Sequence, residues 1–282
     1  MATSRSTTLL AMSLGLGLLV QQPTALGDGP LPPEVVEGLK KAEAMAKPQN
    51  SIQEMTMATT NKRGKTQTRR IKMTARVEGD TLRTLGTVLA PEDVAGTTFL
   101  SIQVPEAEPE IYLHLPTLNR TTQIKAKRQA LLGSDLSPAD MDLSVWVGAT
   151  HSDLGVQVVK VGGKEVRVRG VESTPKDPEA SEYPKATLYL DTETHYPLRI
   201  DFQEADGTLV KTWQILETGK AGEATYPKVS VMKTPSKGSK TKLTIDSITL
   251  GIPDGDLPLT MFDPKALGSK KAEEGKEAPK AE

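Results

Sequence analysis

Residues 156–170, VQVVKVGGKEVRVRG, decide the class of fold that this chain can adopt. Valines alternate with polar residues on both sides of Gly162 and Gly163, and a glycine pair between two alternating runs is a strong signal for a β-hairpin. Alternation also means that each strand has one face against an apolar interior and the other face in water. The stretch therefore predicts an antiparallel β-protein.

The same period of two recurs along most of the chain. No regular exchange of strands with helical segments is present, which argues against a parallel sheet. Together the alternating runs predict about ten or eleven strands joined by short turns. The clearest of these runs cover residues 71–77, 111–115, 156–170, 186–202, 209–215, 228–233 and 241–250.

One helix is predicted near the start of the folded part, over residues 31–46. Pro32 and Pro33 suit the first turn of a helix. The helical period then brings four apolar side chains to one face, away from most of the charged residues. These four are Val35, Leu39, Ala42 and Ala46.

The two ends of the chain are predicted to lie outside the domain. Arg5 precedes an apolar run of about 12 residues, and the small residues Ala25 and Gly27 occupy positions −3 and −1 for cleavage after Gly27, which is the pattern of a secretory signal peptide. The run is shorter than the roughly 20 residues that span a bilayer. Residues 28–267 are then expected to form a single domain, and the charged residues 268–282 to be disordered.

Composition excludes several kinds of chemistry. The 282 residues contain no cysteine, which excludes disulfides, a cysteine nucleophile and an acylated N-terminal cysteine. The 35 basic and 36 acidic residues nearly cancel, so no nucleic-acid partner is predicted. Aromatic residues make up only 4% of the chain, so an apolar site would be lined mainly by aliphatic side chains and methionine.

A search for catalytic residues predicts no enzyme, no cofactor and no metal. His151, Ser152 and Asp153 contain the letters of a catalytic triad, but neighbours in sequence do not form the required relay. The sequence has no GxSxG motif for a nucleophile elbow. His114 and His195 are far apart in sequence and lack clustered metal ligands. An exported hydrolase therefore remains the least favoured alternative.

Residues 131–141, LLGSDLSPADM, have the form of a helix start. Ser137 would be the N-cap, with its hydroxyl accepting from the amide of Asp140, and Asp140 would reach back to the amide of Ser137. Pro138 suits the first helical position. Gly133, Ser134 and Asp135 complete the motif. An acid–base pair of Asp135 and Asp140 is the competing interpretation. Capping is the simpler explanation for Asp140, because it requires no catalytic role.

Three segments in this order resemble the LolA-like outer-membrane lipoprotein-sorting proteins: GTTFL (96–100), IYLHLPTLNRTTQI (111–124) and LLGSDLSPADM (131–141). The resemblance covers roughly residues 33–267. Leu136 and Pro138 stand where the family pattern has aromatic residues. The resemblance implies a mainly β fold, an incomplete antiparallel barrel or strongly curved sheet, with helices covering its concave apolar side.

The same resemblance implies a function. It implies a non-enzymatic periplasmic carrier or chaperone that binds acyl chains of lipoproteins or other lipids for transfer toward the outer membrane. An inner-membrane exporter and an outer-membrane acceptor are candidate partners, and the oligomeric state is left open, with a monomer favoured. The alternative is an envelope interaction module that docks onto an exporter or an outer-membrane assembly and transports nothing. A carrier needs an apolar cavity of several hundred Å³.

Two groups of side chains are candidates for the lipid site. The apolar group lies on alternating strand faces, and plain core packing is the alternative for each member. It consists of Met73, Phe99, Leu113, Trp146, Leu190, Ile200 and Trp213. Arg69, Arg70 and Arg120 are candidates for contact with a head group or a lid, with solvated strand residues as the alternative. The lid candidates are the helix at 31–46 and the segment 131–146.

Overall fold

The computed structural model describes residues 30–47, 49–104, 107, 109–124, 130–137, 140, 148–179 and 181–268. The predicted signal peptide, the charged tail from residue 269 onward, and the candidate lipid contact Trp146 lie outside the described residues.

All strands of the described part belong to one antiparallel sheet of thirteen strands. The sheet is curved. It is also open, because its two outermost strands do not pair with each other. The prediction of a mainly β, curved and unclosed antiparallel sheet is therefore confirmed. The strands are β1 (Ser51–Thr60), β2 (Thr66–Glu78), β3 (Thr81–Ala90), β4 (Thr98–Gln103), β5 (Glu110–Leu115), β6 (Arg120–Ile124), β7 (Thr150–Val161), β8 (Lys164–Thr174), β9 (Lys185–Asp191), β10 (Pro197–Gln203), β11 (Leu209–Ala221), β12 (Ala224–Thr234) and β13 (Ser239–Leu250).

The predicted number of ten or eleven strands is too low. The edge strand β6 has four exposed residues before the half-buried Ile124, so no apolar alternation marks it in the sequence. In β1, threonine and alanine occupy positions where larger apolar residues would signal a strand. Both strands form because neighbouring strands offer their free backbone groups for pairing.

The strand order separates the two strands that flank the segment around residue 135. The order in space is β6-β5-β4-β3-β2-β1-β13-β12-β11-β10-β9-β8-β7. Thus β1 to β6 run outward to one edge, and β7 to β13 return from the other edge until β13 pairs with β1, for example Leu243 with Met57. Strands β6 and β7, which are consecutive in the chain, therefore lie at opposite edges of the sheet, and the described residues 130–137 and 140 come between them in sequence.

Register divides the sheet into two faces. Met73, Gly86, Phe99 and Leu113 are direct cross-strand neighbours, and we call their side the inner face. The adjacent row, which includes Leu85 and Leu100, points to the opposite, outer face. Residues 252–267 cover that outer face, and the resulting core contains Ile52, Leu85, Leu100, Leu257, Met261, Phe262 and Leu267.

Arg76 fastens the C-terminal segment to the outer face. Its alternation with apolar neighbours suggests a solvent-facing side chain, but Arg76 is only 8% exposed. The guanidinium donates to the carbonyls of Asp254 and Leu257 and lies 3.6 Å from the Asp254 carboxylate. The outer face of this half of the sheet is therefore a second buried surface, because the chain folds back over it.

The predicted helix is present as α1 (Pro33–Ala46). Val35 is fully buried in a core with residues of β8, β9 and β10, and Leu39 and Ala42 pack at its margin. Gly38 allows this close approach, since a methyl group there would lie 2.3 Å from Leu190 Cδ1. The helix therefore lies on the inner face of the half of the sheet formed by β8 to β10 and β12.

Candidate functional site

A cavity of about 390 Å³ lies on the inner face. Its wall is formed by β1 to β5 and β11 to β13, together with the last turn of α1 and residues 131–136. Five methionines contribute to it, and methionine side chains are flexible enough to fit ligands of different shape. They are Met45, Met55, Met57, Met73 and Met232.

The two ends of the cavity differ in chemistry. Lys47, Gln49, Gln53 and Gln103 border one end, close to where β1 begins. Leu131, Leu132 and Leu136 line the other end, beside Met57 and Leu243, and Ser134 and Asp140 border it as well. We call the end with Leu136, where most lining side chains are apolar, the bottom, and the end with Gln53 the polar rim.

Residues 131–137 and 140, which we call the strap, are tied to β13 through Asp135. This carboxylate is only 2% exposed. It accepts hydrogen bonds from the hydroxyls of Ser239 and of Thr241, the latter at 2.8 Å. The Asp135 amide donates to Thr241 Oγ1 at 2.9 Å, and Thr241 also contacts Thr59 of β1 at 3.1 Å.

A second buried carboxylate, Asp140, ties the strap to β11. Lys211 Nζ lies 2.6 Å from Asp140 Oδ2, and the Tyr183 hydroxyl donates to Oδ1 at 2.6 Å. The Ser137 amide and hydroxyl both donate to Oδ2, at 2.6 and 2.9 Å. Because Asp140 and Lys211 are each 8% exposed, this is a buried ion pair whose carboxylate has further donors.

The structure places the expected capping partners together, with one difference. Asp140 reaches back to the Ser137 amide, as a capping box requires. The Ser137 hydroxyl, however, donates to the Asp140 carboxylate, and the Asp140 amide donates to the Ser137 carbonyl at 3.1 Å. Asp135 and Asp140 each have their own set of donors, so their side chains support the strap.

The apolar candidates separate into two sets. Met73, Phe99 and Trp213 line the cavity. Leu113 packs beside Met73 and Phe99 without reaching the cavity. Leu190 and Ile200 lie in the core beneath α1. For these last three residues the structure therefore shows core packing, the alternative interpretation.

The three arginine candidates do not line the cavity. Arg69 is half-buried and lies 3.5 Å from Gln67 Oε1. Arg70 is exposed and pairs with Glu54 at 3.0 Å. Arg120 is exposed at the start of the edge strand β6. Arg70 and Arg120 therefore lie on the surface, as solvated strand residues do, whereas Arg69 Nη1 is buried without a hydrogen-bond partner.

Sequence reasoning missed the partners of the strap, and one of them left a signal. In the sequence, Lys211 falls between Leu209 and Trp213 in an alternating apolar pattern. A lysine at such a position needs a buried carboxylate, because an unpaired buried charge is costly. Tyr183, Ser239 and Thr241 left no comparable signal.

Contacts of α1 fix its first turn more firmly than its last. Arg169 bridges Glu34 of α1, at 2.7 Å, and Asp153 of β7, with Nε 2.9 Å from Oδ1. The hydrogen bonds from Arg169 hold the pKa of the Asp153 carboxyl below its usual value. At the other end, Tyr196 contacts the Met45 sulfur at 3.3 Å, and burial raises the pKa of Tyr196 to about 12.

The histidines and carboxylates of the described residues form no group of three or more that could hold a metal ion. His151 contacts Ser173 Oγ at 2.8 Å, and Asp153 pairs with Arg169, so His151, Ser152 and Asp153 do not form a relay. Burial lowers the pKa of His151. Within the described residues, no helix has the length and apolar character needed to cross a membrane.

Three solved structures share this architecture. A DUF1329 family protein from Desulfovibrio piger has a TM-score of 0.70 at 21% identity, covering 83% of this chain and 97% of its own. A putative outer membrane lipoprotein-sorting protein domain from Vibrio parahaemolyticus has a TM-score of 0.67 at 23% identity, with the same coverages. A LolA superfamily protein from Nitrosomonas europaea has a TM-score of 0.58 at 15% identity, covering 79% and 96%. At these identities the likeness establishes the fold.

The resemblance to LolA-like proteins that the motifs predict is thus confirmed at the level of the fold. A family model described as "Uncharacterized protein" matches residues 80–269. The chain belongs to the family that this model describes. No match was found among curated proteins.

Proposed function

We propose that this protein is a non-enzymatic periplasmic carrier or chaperone for the acyl chains of lipoproteins or other lipids. The observation that carries the proposal is the methionine-walled cavity of about 390 Å³ on the inner face of a lipoprotein-sorting fold. Its size falls within the roughly 300–1,000 Å³ of small-ligand sites. Moving an acyl chain through water costs about 0.8 kcal/mol per exposed CH₂, and such a wall removes that cost.

The ends of the cavity suggest how a lipid would lie in it. The acyl chain would occupy the apolar bottom between Met57, Leu136 and Leu243. The ester and head group would remain at the polar rim, where Gln53 and Gln103 carry amide donors and acceptors. This orientation leaves the bulky part of a lipoprotein in solvent.

The two lid candidates would have different roles. The strap is held by two buried carboxylates, which suits a fixed wall. The last turn of α1 contributes Met45 to the cavity and has fewer polar contacts than the first turn. We therefore assign the opening movement to the C-terminal turn of α1 and the closed bottom to the strap.

Delivery would require two membrane partners. The predicted signal peptide would export the chain, an inner-membrane exporter would supply the lipid, and an outer-membrane acceptor would take it. Each transfer needs only that the next site binds the acyl chain more tightly, so no catalytic residue is required.

Native mass spectrometry of the protein from its own periplasm, followed by lipid extraction, tests the proposal. A co-purifying acylated species near one per chain supports the carrier. A lipid-free mass that also fails to bind a fluorescent fatty-acid probe would overturn it and favour the docking module instead.

A substitution at Gly86 should reduce the space in the cavity. A methyl group there would lie 2.2 Å from Phe99 Cε1 and 2.8 Å from Met73 Sδ. In Gly86→Ala these two side chains must move into the cavity, and we expect probe affinity to fall about tenfold at an overpacking cost of about 1–3 kcal/mol in stability. Probe titration and thermal unfolding measure the two effects.

Gly255→Ala is the matched control, because no atom lies within 4 Å of the added methyl group. It should leave both probe affinity and stability unchanged. Normal probe affinity in a folded Gly86→Ala protein would place the ligand elsewhere.

A further inference from the structure

Two neighbouring hairpins carry an uninterrupted set of positive charges. Residues 55–77 contain seven Lys or Arg and no Asp or Glu, and residues 224–245 contain five and none. The whole chain is nearly neutral, with 35 basic and 36 acidic residues. The positive charge of these two hairpins is therefore a local feature that the overall composition does not explain.

Pairing of β1 with β13 brings the tips of these hairpins together. Thr60 is the register partner of Lys240, and a methyl group on Gly238 would lie 3.3 Å from Lys62 Cβ. We call residues 61–70 and 233–242 the basic prong. Seven of its cationic residues are exposed. Arg70 pairs with Glu54, and the other six are Lys62, Arg63, Lys65, Lys237, Lys240 and Lys242.

The carboxylates closest to the prong do not neutralise these six side chains. Glu54 pairs with Arg70. Asp135 lies beneath the prong, but it is buried and accepts from Ser239 and Thr241. The tips therefore present ammonium and guanidinium groups directly to solvent.

The chemistry of the prong distinguishes between two kinds of anionic partner. The anchors of protein interfaces are most often Trp, Tyr or Arg side chains that fill pockets, whereas five of the six exposed, unpaired cations of the prong are lysines. Among the described residues, no large exposed apolar side chain lies in the prong. Long lysine side chains without such an anchor suit a diffuse layer of phosphates, where each Lys or Arg near the surface strengthens binding about fivefold.

From this we infer that the basic prong docks the protein onto the surface of an anionic phospholipid membrane. Docking is peripheral, because the prong has no apolar side chain to insert. The prong lies at the Thr60 end of β1, whereas the polar rim of the cavity lies near Ser51. The docked protein thus keeps its cavity rim away from the bound membrane and open to a partner on the other side.

Vesicle sedimentation of the purified protein tests this inference. Phosphatidylcholine vesicles are compared with vesicles that also contain phosphatidylglycerol. We expect sedimentation only with the anionic vesicles, weakening as salt shortens the Debye length. One variant replaces four lysines of the prong: Lys62→Gln, Lys65→Gln, Lys237→Gln and Lys240→Gln. Its partitioning onto anionic vesicles should fall at least about 100-fold, because each lost charge weakens binding about fivefold.

A control variant removes the same charge elsewhere: Lys40→Gln, Lys164→Gln, Lys176→Gln, Lys220→Gln. It should retain most of the partitioning onto anionic vesicles. Equal loss in the two variants, equal binding to both vesicle types, or tighter binding to polyglutamate than to anionic vesicles would each overturn the inference. The affinity for a fatty-acid probe in solution should be unchanged in both variants. The test of membrane docking is therefore independent of the test of the carrier function.

Discussion

Replacing Asp140 with alanine is expected to lower the free energy of unfolding by about 3–5 kcal/mol, the usual cost of removing one partner of a buried ion pair. The variant leaves the Lys211 ammonium in a site where it is 8% exposed. The hydroxyl of Tyr183 and the amide of Ser137 lose their acceptor at the same time. Urea unfolding of wild type and variant measures the difference.

Three further variants separate the ion pair from other causes. Lys211→Met should also destabilise, because it leaves the Asp140 carboxylate without its cation. Asp140→Ala combined with Lys211→Met should be more stable than Asp140→Ala alone, since no unpaired charge remains. Lys220→Met, which removes an exposed lysine, should stay within about 0.5 kcal/mol of wild type. If Asp140→Ala behaves like Lys220→Met, the strap is not held by this pair.

The fold class could be predicted because alternation is a local property. Residues 156–170 show it directly, and they form β7, the glycine turn and β8 as expected. The exposed edge strand β6 could not be predicted, since its formation depends on pairing with β5. The burial of Arg76 could not be predicted either, because the segment that covers this side chain lies about 180 residues further along the chain.

The site was only partly predictable for a related reason. Alternation shows which residues share a face of one strand, but the cover of that face depends on register and on distant segments. Met73 and Phe99 meet across Gly86 and border the cavity. Leu190 has the same local pattern, yet it lies beneath α1. The partners of the strap are Tyr183 and residues of β11 and β13, which follow it by 43 residues or more.

Filling the cavity should abolish most ligand binding without loss of the fold. Ala75 and Thr84 are direct cross-strand neighbours, and both line the cavity. An aromatic pair at such positions stabilises a sheet by about 0.2–1 kcal/mol. In Ala75→Phe with Thr84→Phe, the two rings displace about three methylenes of an acyl chain at about 0.8 kcal/mol each. Titration with a fatty-acid probe should show an affinity loss of about 50-fold.

The same two strands provide a control of matching size on the outer face. Lys72 and Thr87 are also direct cross-strand neighbours, three register positions away and so on the opposite face, and neither borders the cavity. Lys72→Phe with Thr87→Phe should therefore bind the probe as wild type does. Loss of affinity only in the inner-face variant places the acyl chain in the cavity. Equal affinity in the two variants, with both folded, would show that the chain binds elsewhere, because two added rings cannot share the cavity with it.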